Sequence, residues 1–152
     1  MSGRRWGLVV AVGAALIVGA PVGHGEPAAG DVGGCRQGGV MTGRLVPGSG
    51  SAGQNIQREG TLRECDSPLL PGVTGGRFSV TIPWNATGAT SAATFTWSDG
   101  SVSAATGFGN GQWLITAGPA SGHGIQLFVA NTWSGWYLSP LDVTVTSARF
   151  LA

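Results

Sequence analysis

His123 is the residue of this chain best suited to general-base chemistry. The other histidine, His24, lies in the segment 1–25, which we predict below to be removed as a signal peptide. A hydrolytic triad needs such a histidine beside a nucleophile and an orienting carboxylate. His123 stands in the turn-forming stretch Ser-Gly-His-Gly, and no Gly-x-Ser-x-Gly nucleophile motif lies near it. We therefore interpret His123 as a surface-loop histidine and predict no catalytic residues. The alternative is a small hydrolase or effector that uses His123.

A second candidate chemistry is glycoside hydrolysis by a pair of carboxylates. The candidate acids are Glu59, Glu64, Asp66, Asp99 and Asp142. Asp99 has a structural role in the hairpin turn that we predict below. A domain with so few acidic residues is also a weak candidate for a hydrolase. The chain also lacks a calcium loop of the D-x-[DN]-x-[DN]-G type and the ligand spacing of a zinc site. We predict no metal site and no cofactor.

The third candidate is a cluster of aromatic residues. Trp133, Trp136 and Tyr137 surround a Ser-Gly turn. Aromatic side chains on a loop can stack on sugar rings or anchor a protein partner, because their wide apolar faces suit both. We predict that these three residues form a ligand-binding surface. The alternative is that Trp136 or Tyr137 folds inward and caps the core.

Two cysteines, Cys35 and Cys65, are the only ones in the chain. An even number of cysteines in an exported chain favours a disulfide. Closing a loop of about thirty residues would stabilise the fold by roughly 3.5 kcal/mol on the chain-entropy model. We predict a Cys35–Cys65 bridge that ties the N-terminal third to the core.

The elements that position these residues are predicted to be short β-strands. From Cys35 onward, β-branched and aromatic residues form short runs broken by Gly, Pro, Asn or Asp, a pattern typical of sandwiches and barrels. We predict a single all-β domain over residues 35–152, a small antiparallel β-sandwich of immunoglobulin-like or related type with one disulfide. Residues 26–34 are predicted to be a flexible lead-in. Besides the hairpin described next, the predicted strands are 40–46, 60–65, 77–82, 112–117, 125–130, 135–138 and 141–150.

The strongest local pattern is a hairpin over residues 93–105, centred on Asp99 and Gly100. A two-residue turn there would pair Trp97 with Val102. The same register would pair Phe95 with Ala104 and place every apolar pair on one face, with the hydroxyl side chains on the other.

Residues 1–25 read as a cleaved signal peptide. Arg4 and Arg5 precede an uncharged run of about fifteen residues, shorter than the roughly twenty that a spanning helix needs, and small residues with a proline follow. The mature chain is predicted to begin near Glu26. An uncleaved anchor and a twin-arginine signal are the alternatives. We predict a secreted protein, extracellular or at the cell envelope.

The charge balance of the mature chain narrows its partners. The sequence has eight Arg, no Lys and seven acidic residues, so loss of Arg4 and Arg5 with the signal leaves a net charge near −1. Such a chain lacks the excess of positive charge that binding to nucleic acid or to anionic lipid requires. We predict no nucleic acid and no stable membrane insertion after signal cleavage. The expected partner is a cell-envelope polysaccharide or an extracellular protein.

Several short motifs resemble those of small secreted actinobacterial β-rich proteins: GTLREC at 60–65, GRFS at 76–79, ATFTWSDG at 93–100 and AGPASGHG at 117–124. That group has no established activity, so the resemblance implies export and β structure and carries over no catalytic residue. Together, these observations predict a secreted, non-enzymatic β-sandwich that binds a carbohydrate or a protein through its loop aromatics.

Overall fold

The computed structural model describes residues 31–86, 88–107, 111–130 and 135–152. The predicted signal peptide lies outside this range, as does Trp133. In these described residues nine strands follow one another, with a short 3-10 helix, Trp136–Leu138, before the last. The strands are β1 Asp31–Gly38, β2 Val40–Pro47, β3 Gln54–Asp66, β4 Gly75–Pro83, β5 Ser91–Trp97, β6 Val102–Gly107, β7 Gln112–Ala117, β8 Gly124–Val129 and β9 Val143–Leu151.

The sheet closes on itself. From β3 to β9 each strand pairs antiparallel with the next, and β1 and β2 pair with both β3 and β9. Cys35 of β1 lies opposite Cys65 and Ala148, while Val40 of β2 lies opposite Thr144. Strands β1 and β2 thus lie end to end in one gap between β3 and β9. The result is an eight-stranded antiparallel barrel with one extra strand.

The predicted β-sandwich is therefore wrong, although the all-β class is right. Alternation of apolar and polar residues indicates only that one face of each strand is buried, and this holds equally for a sandwich and a barrel. The pairings that close the barrel join strands far apart in the sequence, such as β1 and β9. No local pattern signals that pairing.

Inward side chains from all sides fill the barrel. In β5 the alternate residues Ser91, Ala93, Phe95 and Trp97 are buried, and the residues between them are exposed. The ring centroids of Phe95 and Trp97 lie 5.5 Å apart with nearly parallel planes, and Phe150 of β9 packs on Trp97 at 6.0 Å. An eight-stranded barrel has an interior that side chains of this size just fill.

The hairpin of β5 and β6 forms, but its register differs by one residue from the prediction. Phe95 pairs with Ser103 rather than Ala104, and the backbone N–H of Trp97 donates to Ser101 O at 2.8 Å. The loop therefore has three residues and ends at Gly100, whose φ of +86° suits glycine. As a result Ser103 is fully buried and Val102 is half exposed. Because side chains alternate between the two faces of a strand, this shift of one residue exchanges the inward and outward residues of β6 relative to the prediction.

Three other segments depart from the prediction. Residues 31–34 of the expected lead-in belong to β1, which pairs with β3 and β9. The glycine-rich sequence of β1 lacks the apolar alternation that marks a strand. Residues 135–138, predicted as a strand, contain the 3-10 helix Trp136–Leu138. The predicted strand 60–65 also begins earlier, since β3 starts at Gln54.

The predicted disulfide is confirmed: Cys35 and Cys65 are bonded and lie directly opposite each other on β1 and β3. Both are buried. Disulfides of this kind persist in oxidising compartments. Among the described residues, no helix has both the length and the apolar character needed to cross a bilayer.

Candidate functional site

The barrel has two ends of different character. We call one the disulfide end: it carries the connections β3–β4, β5–β6 and β7–β8 and lies near the Cys35–Cys65 bridge. We call the other the arginine end: it carries the connections β2–β3, β4–β5, β6–β7 and β8–β9. Residues 135–142, the described part of the β8–β9 connection, cover this second end, and we call them the capping segment.

Arg58 lies inside the barrel at the arginine end. It is the inward residue of β3 two positions after Ile56, and only 1% of its surface is exposed. Its guanidinium donates to carbonyl oxygens of the capping segment. Nη1 donates to Leu141 O at 3.0 Å, and Nη2 donates to Trp136 O at 2.8 Å and to Ser139 O. The Nε–H is buried without a hydrogen-bond partner.

The charge of Arg58 is only partly compensated. Burial lowers the pKa of its guanidinium, and nearby Asp142 and Tyr137 oppose that shift. The Asp142 carboxylate is exposed, and its Oδ1 accepts from the backbone N–H of Gly43 at 3.0 Å. All of the described hydrogen-bond acceptors of Arg58 are uncharged carbonyls. Arginine does not lose its proton in proteins, so a cation is held inside the barrel.

A second polar cluster lies at the same end. Ser91 Oγ is 2.5 Å from Tyr137 Oη, accepts from Trp113 Nε1 at 3.0 Å and donates to Gly107 O at 3.2 Å. Ser91 Oγ thus meets an indole N–H, a phenol hydroxyl and a backbone carbonyl oxygen at the same time. These contacts fix the orientation of the Trp113 and Tyr137 rings.

Three aromatic rings surround these polar groups. The Trp113 and Tyr137 centroids are 5.9 Å apart, and Trp136 meets Tyr137 edge to face at 5.6 Å. The Arg58 guanidinium lies 5.8 Å from the Trp136 centroid, within cation–π distance. The lack of a side chain at Gly111 leaves room for the Trp136 indole, since a Cβ at position 111 would lie 2.8 Å from that ring. The site thus combines a cation, two hydroxyls and apolar ring surface.

The predicted aromatic residues are only partly accounted for. Trp136 and Tyr137 are 9% and 3% exposed and pack into the core, the arrangement of the capping alternative. Trp133 lies outside the described residues, so a binding surface formed by all three stays a prediction. The prediction did not include Arg58, Ser91 or Trp113. Alternation along β3 offered one signal, since it places Arg58 on the face of Ile56 and Leu62.

The remaining candidate residues do not assemble into a site. The ring of His123 is 3.2 Å from the backbone oxygen of Leu151, and no serine hydroxyl or carboxylate of the described residues lies within hydrogen-bond distance of it. The acids predicted as candidates are all exposed. In the described part of the chain, no group of three metal-ligating side chains occurs. A depression in the barrel wall is lined mainly by residues of β3, β4 and β5, and its polar side chains Thr61, Arg63 and Arg77 are exposed to solvent.

The fold and site define a closed antiparallel β-barrel with a buried cation under a capping segment. No protein-family model matches the chain, and neither the curated proteins nor the solved structures yield a match. The function is therefore argued from the geometry of the arginine end.

Proposed function

We propose that this is an exported, non-enzymatic binding protein that takes a small ligand at the arginine end of its barrel. The sequence of residues 1–25 supports export, as does the resemblance to small secreted actinobacterial proteins. The disulfide fits the same compartment. Ligand sites are frequent in the mouths of β-barrels, where a few polar groups converge among apolar side chains.

The observation that carries this proposal is the partnerless Nε–H of Arg58. Buried polar groups in proteins are almost always hydrogen-bonded, and an exception calls for a reason. A buried charge is normally paired as well, because desolvation is costly. A ligand that meets Arg58 would satisfy both requirements.

The experiment is a ligand screen with a matched pair of variants. A panel of small sugars, amides, amines and carboxylates is tested by thermal shift on the purified protein, and compounds that shift the melting temperature are titrated by tryptophan fluorescence. Trp113→Phe and Trp97→Phe each remove one indole hydrogen bond to a buried serine, at the arginine end and the disulfide end respectively.

We expect saturable binding that weakens about tenfold in Trp113→Phe and is unchanged in Trp97→Phe, since losing a well-packed contact costs on the order of 1.4 kcal/mol. A panel without any saturable compound, or equal weakening in both variants, would contradict the proposal. Retention on purified cell-wall polysaccharide without any small-molecule binding would instead favour the predicted loop surface around Trp133.

A further inference from the structure

We infer that the outer wall of the barrel carries a second binding site, a shallow depression across β2 to β5 that takes a neutral saccharide. It has a volume of about 400 Å³ and shares Thr61, Arg77 and Thr96 with the depression described above. We call it the wall depression. Its polar side chains point outward, whereas Arg58 points into the barrel. The inference therefore goes beyond the proposed function and does not depend on it.

Hydroxyl groups line most of the wall depression. Ser79 of β4 lies opposite Thr94 of β5, and Arg77 of β4 lies between Thr61 of β3 and Thr96 of β5. The three threonines are exposed, and their hydroxyls make no hydrogen bond within the described part of the chain. A hydroxyl both donates and accepts, as each hydroxyl of a sugar does. The lining thus matches a ligand that is rich in hydroxyls.

A chain of hydrogen bonds orients one of these hydroxyls. Thr81 Oγ1 donates to Gln57 Oε1 at 2.9 Å, and Gln57 Nε2 donates to Ser79 Oγ at 2.6 Å. A serine hydroxyl has one proton and two acceptor sites, so Ser79 accepts from Gln57 and keeps its own proton. No acceptor among the described residues takes that proton. The half-buried Ser79 therefore presents a donor to a ligand in the wall depression.

The wall depression also holds one carboxylate and one guanidinium. Glu59 lies opposite Ser79, and Arg77 precedes Ser79 by two residues on the same face, so the two charged side chains are diagonal neighbours. Neither forms an ion pair with another described residue. A carboxylate accepts hydrogen bonds and a guanidinium donates them, while their charges cancel. This pair favours a ligand that donates and accepts but carries no net charge.

Apolar surface is scarce in the wall depression. Val40 is 59% exposed there, whereas Phe78, the lining residue with an aromatic ring, is only 3% exposed. A hydrophobic ligand would therefore find little surface to bury. A sugar ring needs only a small apolar contact for its C–H groups, which Val40 provides. Since the volume is near the lower end for small-molecule sites, the wall depression holds a short segment of a saccharide.

The test is a titration of the 15N-labelled protein with four neutral trisaccharides, maltotriose, cellotriose, chitotriose and mannotriose, followed by NMR of the assigned backbone amides. Glu59→Gln removes a charge and Thr94→Val removes a hydroxyl, and both nearly keep the shape of the side chain. Thr106→Val is the matched control, because Thr106 is an exposed threonine of β6 that does not line the wall depression.

We expect at least one trisaccharide to shift amide signals of β3, β4 and β5 around the wall depression in a saturable way. Binding should weaken about fivefold in Glu59→Gln and in Thr94→Val, since each loses one hydrogen bond of ordinary strength. It should be unchanged in Thr106→Val. All three positions are exposed, so the dispersion of the amide signals should show that each variant is folded.

Three results would overturn the inference. The first is a lack of saturable shifts with all four trisaccharides. The second is a set of shifts confined to the arginine end, around Trp113, that persists in Thr94→Val; this result would support the proposed function instead. The third is binding at the wall that Glu59→Gln and Thr94→Val weaken no more than Thr106→Val does. A failed ligand screen at the arginine end would leave this inference standing, because the two sites share no residue.

Discussion

At the disulfide end, the β3–β4 loop turns Leu70 and Val73 into the core, both under 5% exposed. Ser67 in the same loop is buried but fully bonded, donating to Val32 O and accepting from Leu69 N. At the arginine end Arg58 donates to carbonyls of the capping segment, Trp136 and Tyr137 of that segment pack into the core, and one buried N–H has no partner. Both ends are thus closed by apolar packing, but one adds a covalent bridge and the other adds a buried charge.

The two ends share one hydrogen-bonding motif, a tryptophan paired with a buried serine. Each end has one tryptophan whose indole N–H donates to a buried serine, Trp97 to Ser103 and Trp113 to Ser91. Each serine donates onward, to Pro119 O and to Gly107 O respectively. Where the two ends use the same motif, every donor is satisfied. The unsatisfied donor belongs to Arg58, which has no counterpart at the disulfide end among the described residues.

The largest expected effect is at the disulfide end. Replacing both cysteines, Cys35→Ala with Cys65→Ala, should lower the free energy of unfolding by roughly 3.5 kcal/mol, because the bridge closes a loop of 30 residues in the unfolded chain. Urea denaturation measures this loss. The wild-type protein in reductant serves as the control and should show a similar loss. A loss below about 1 kcal/mol would mean that strand pairing alone holds β1.

The corresponding change at the arginine end is Arg58→Ala. It leaves a cavity and strips three carbonyls of the capping segment of their donor, so we expect a loss of about 3 kcal/mol in unfolding free energy. Arg77→Ala, on the exposed face of β4, should stay within about 0.5 kcal/mol of wild type. Arg58→Met should recover part of the loss by filling the space. If Arg58→Ala were as stable as Arg77→Ala, the charge would not hold the capping segment.

A smaller effect is expected where Trp136 meets the barrel wall. Gly111→Ala should cost about 2 kcal/mol, because Gly111 has φ +75° and its Cβ would lie 2.8 Å from the Trp136 ring. Gly122→Ala is the control at the disulfide end: φ is +90° there but nothing lies within 4 Å, so about 1 kcal/mol is expected. Thermal unfolding of both variants gives the comparison. Equal losses would show that Trp136 moves aside freely.

The smallest effect concerns the hairpin turn at the disulfide end. Hydrogen bonds from the hydroxyl and the backbone N–H of Ser101 lower the pKa of Asp99 in the folded protein. A lowered folded pKa means that the stabilisation is complete above the unfolded value of about 3.9 and is lost as the pH falls through the folded pKa. Asp99→Asn should therefore differ from wild type in melting temperature at pH 7 more than at pH 2. A difference that grows toward acid pH would contradict this assignment.

Strands with clear alternation were predictable. The prediction for 112–117 coincides with β7, and the predictions around β2, β4 and β8 are within two residues of the structure. The disulfide followed from a count of cysteines. The hairpin register failed because a two-residue and a three-residue loop can both be written around Asp99 and Gly100, and only the packing of Ser103 against Trp97 separates them.

The candidate site was harder to predict from the sequence than the strands were. Alternation places Arg58 on the inner face of β3, but the carbonyls that it meets lie 78 to 83 residues further along the chain. Likewise Ser91 and Tyr137 are 46 residues apart. Side-chain pairs of this kind exist only once the barrel has closed.

The sequence by itself determined the all-β class, the positions of most strands and the disulfide, because each depends on nearest-neighbour preferences or on residue identity. Only the tertiary structure decided that the sheet closes, that β1 takes part in it, and that Trp136 and Tyr137 face inward beside Arg58. These outcomes depend on contacts between residues far apart in the chain. The free energy of such contacts cannot be inferred from a local sequence pattern.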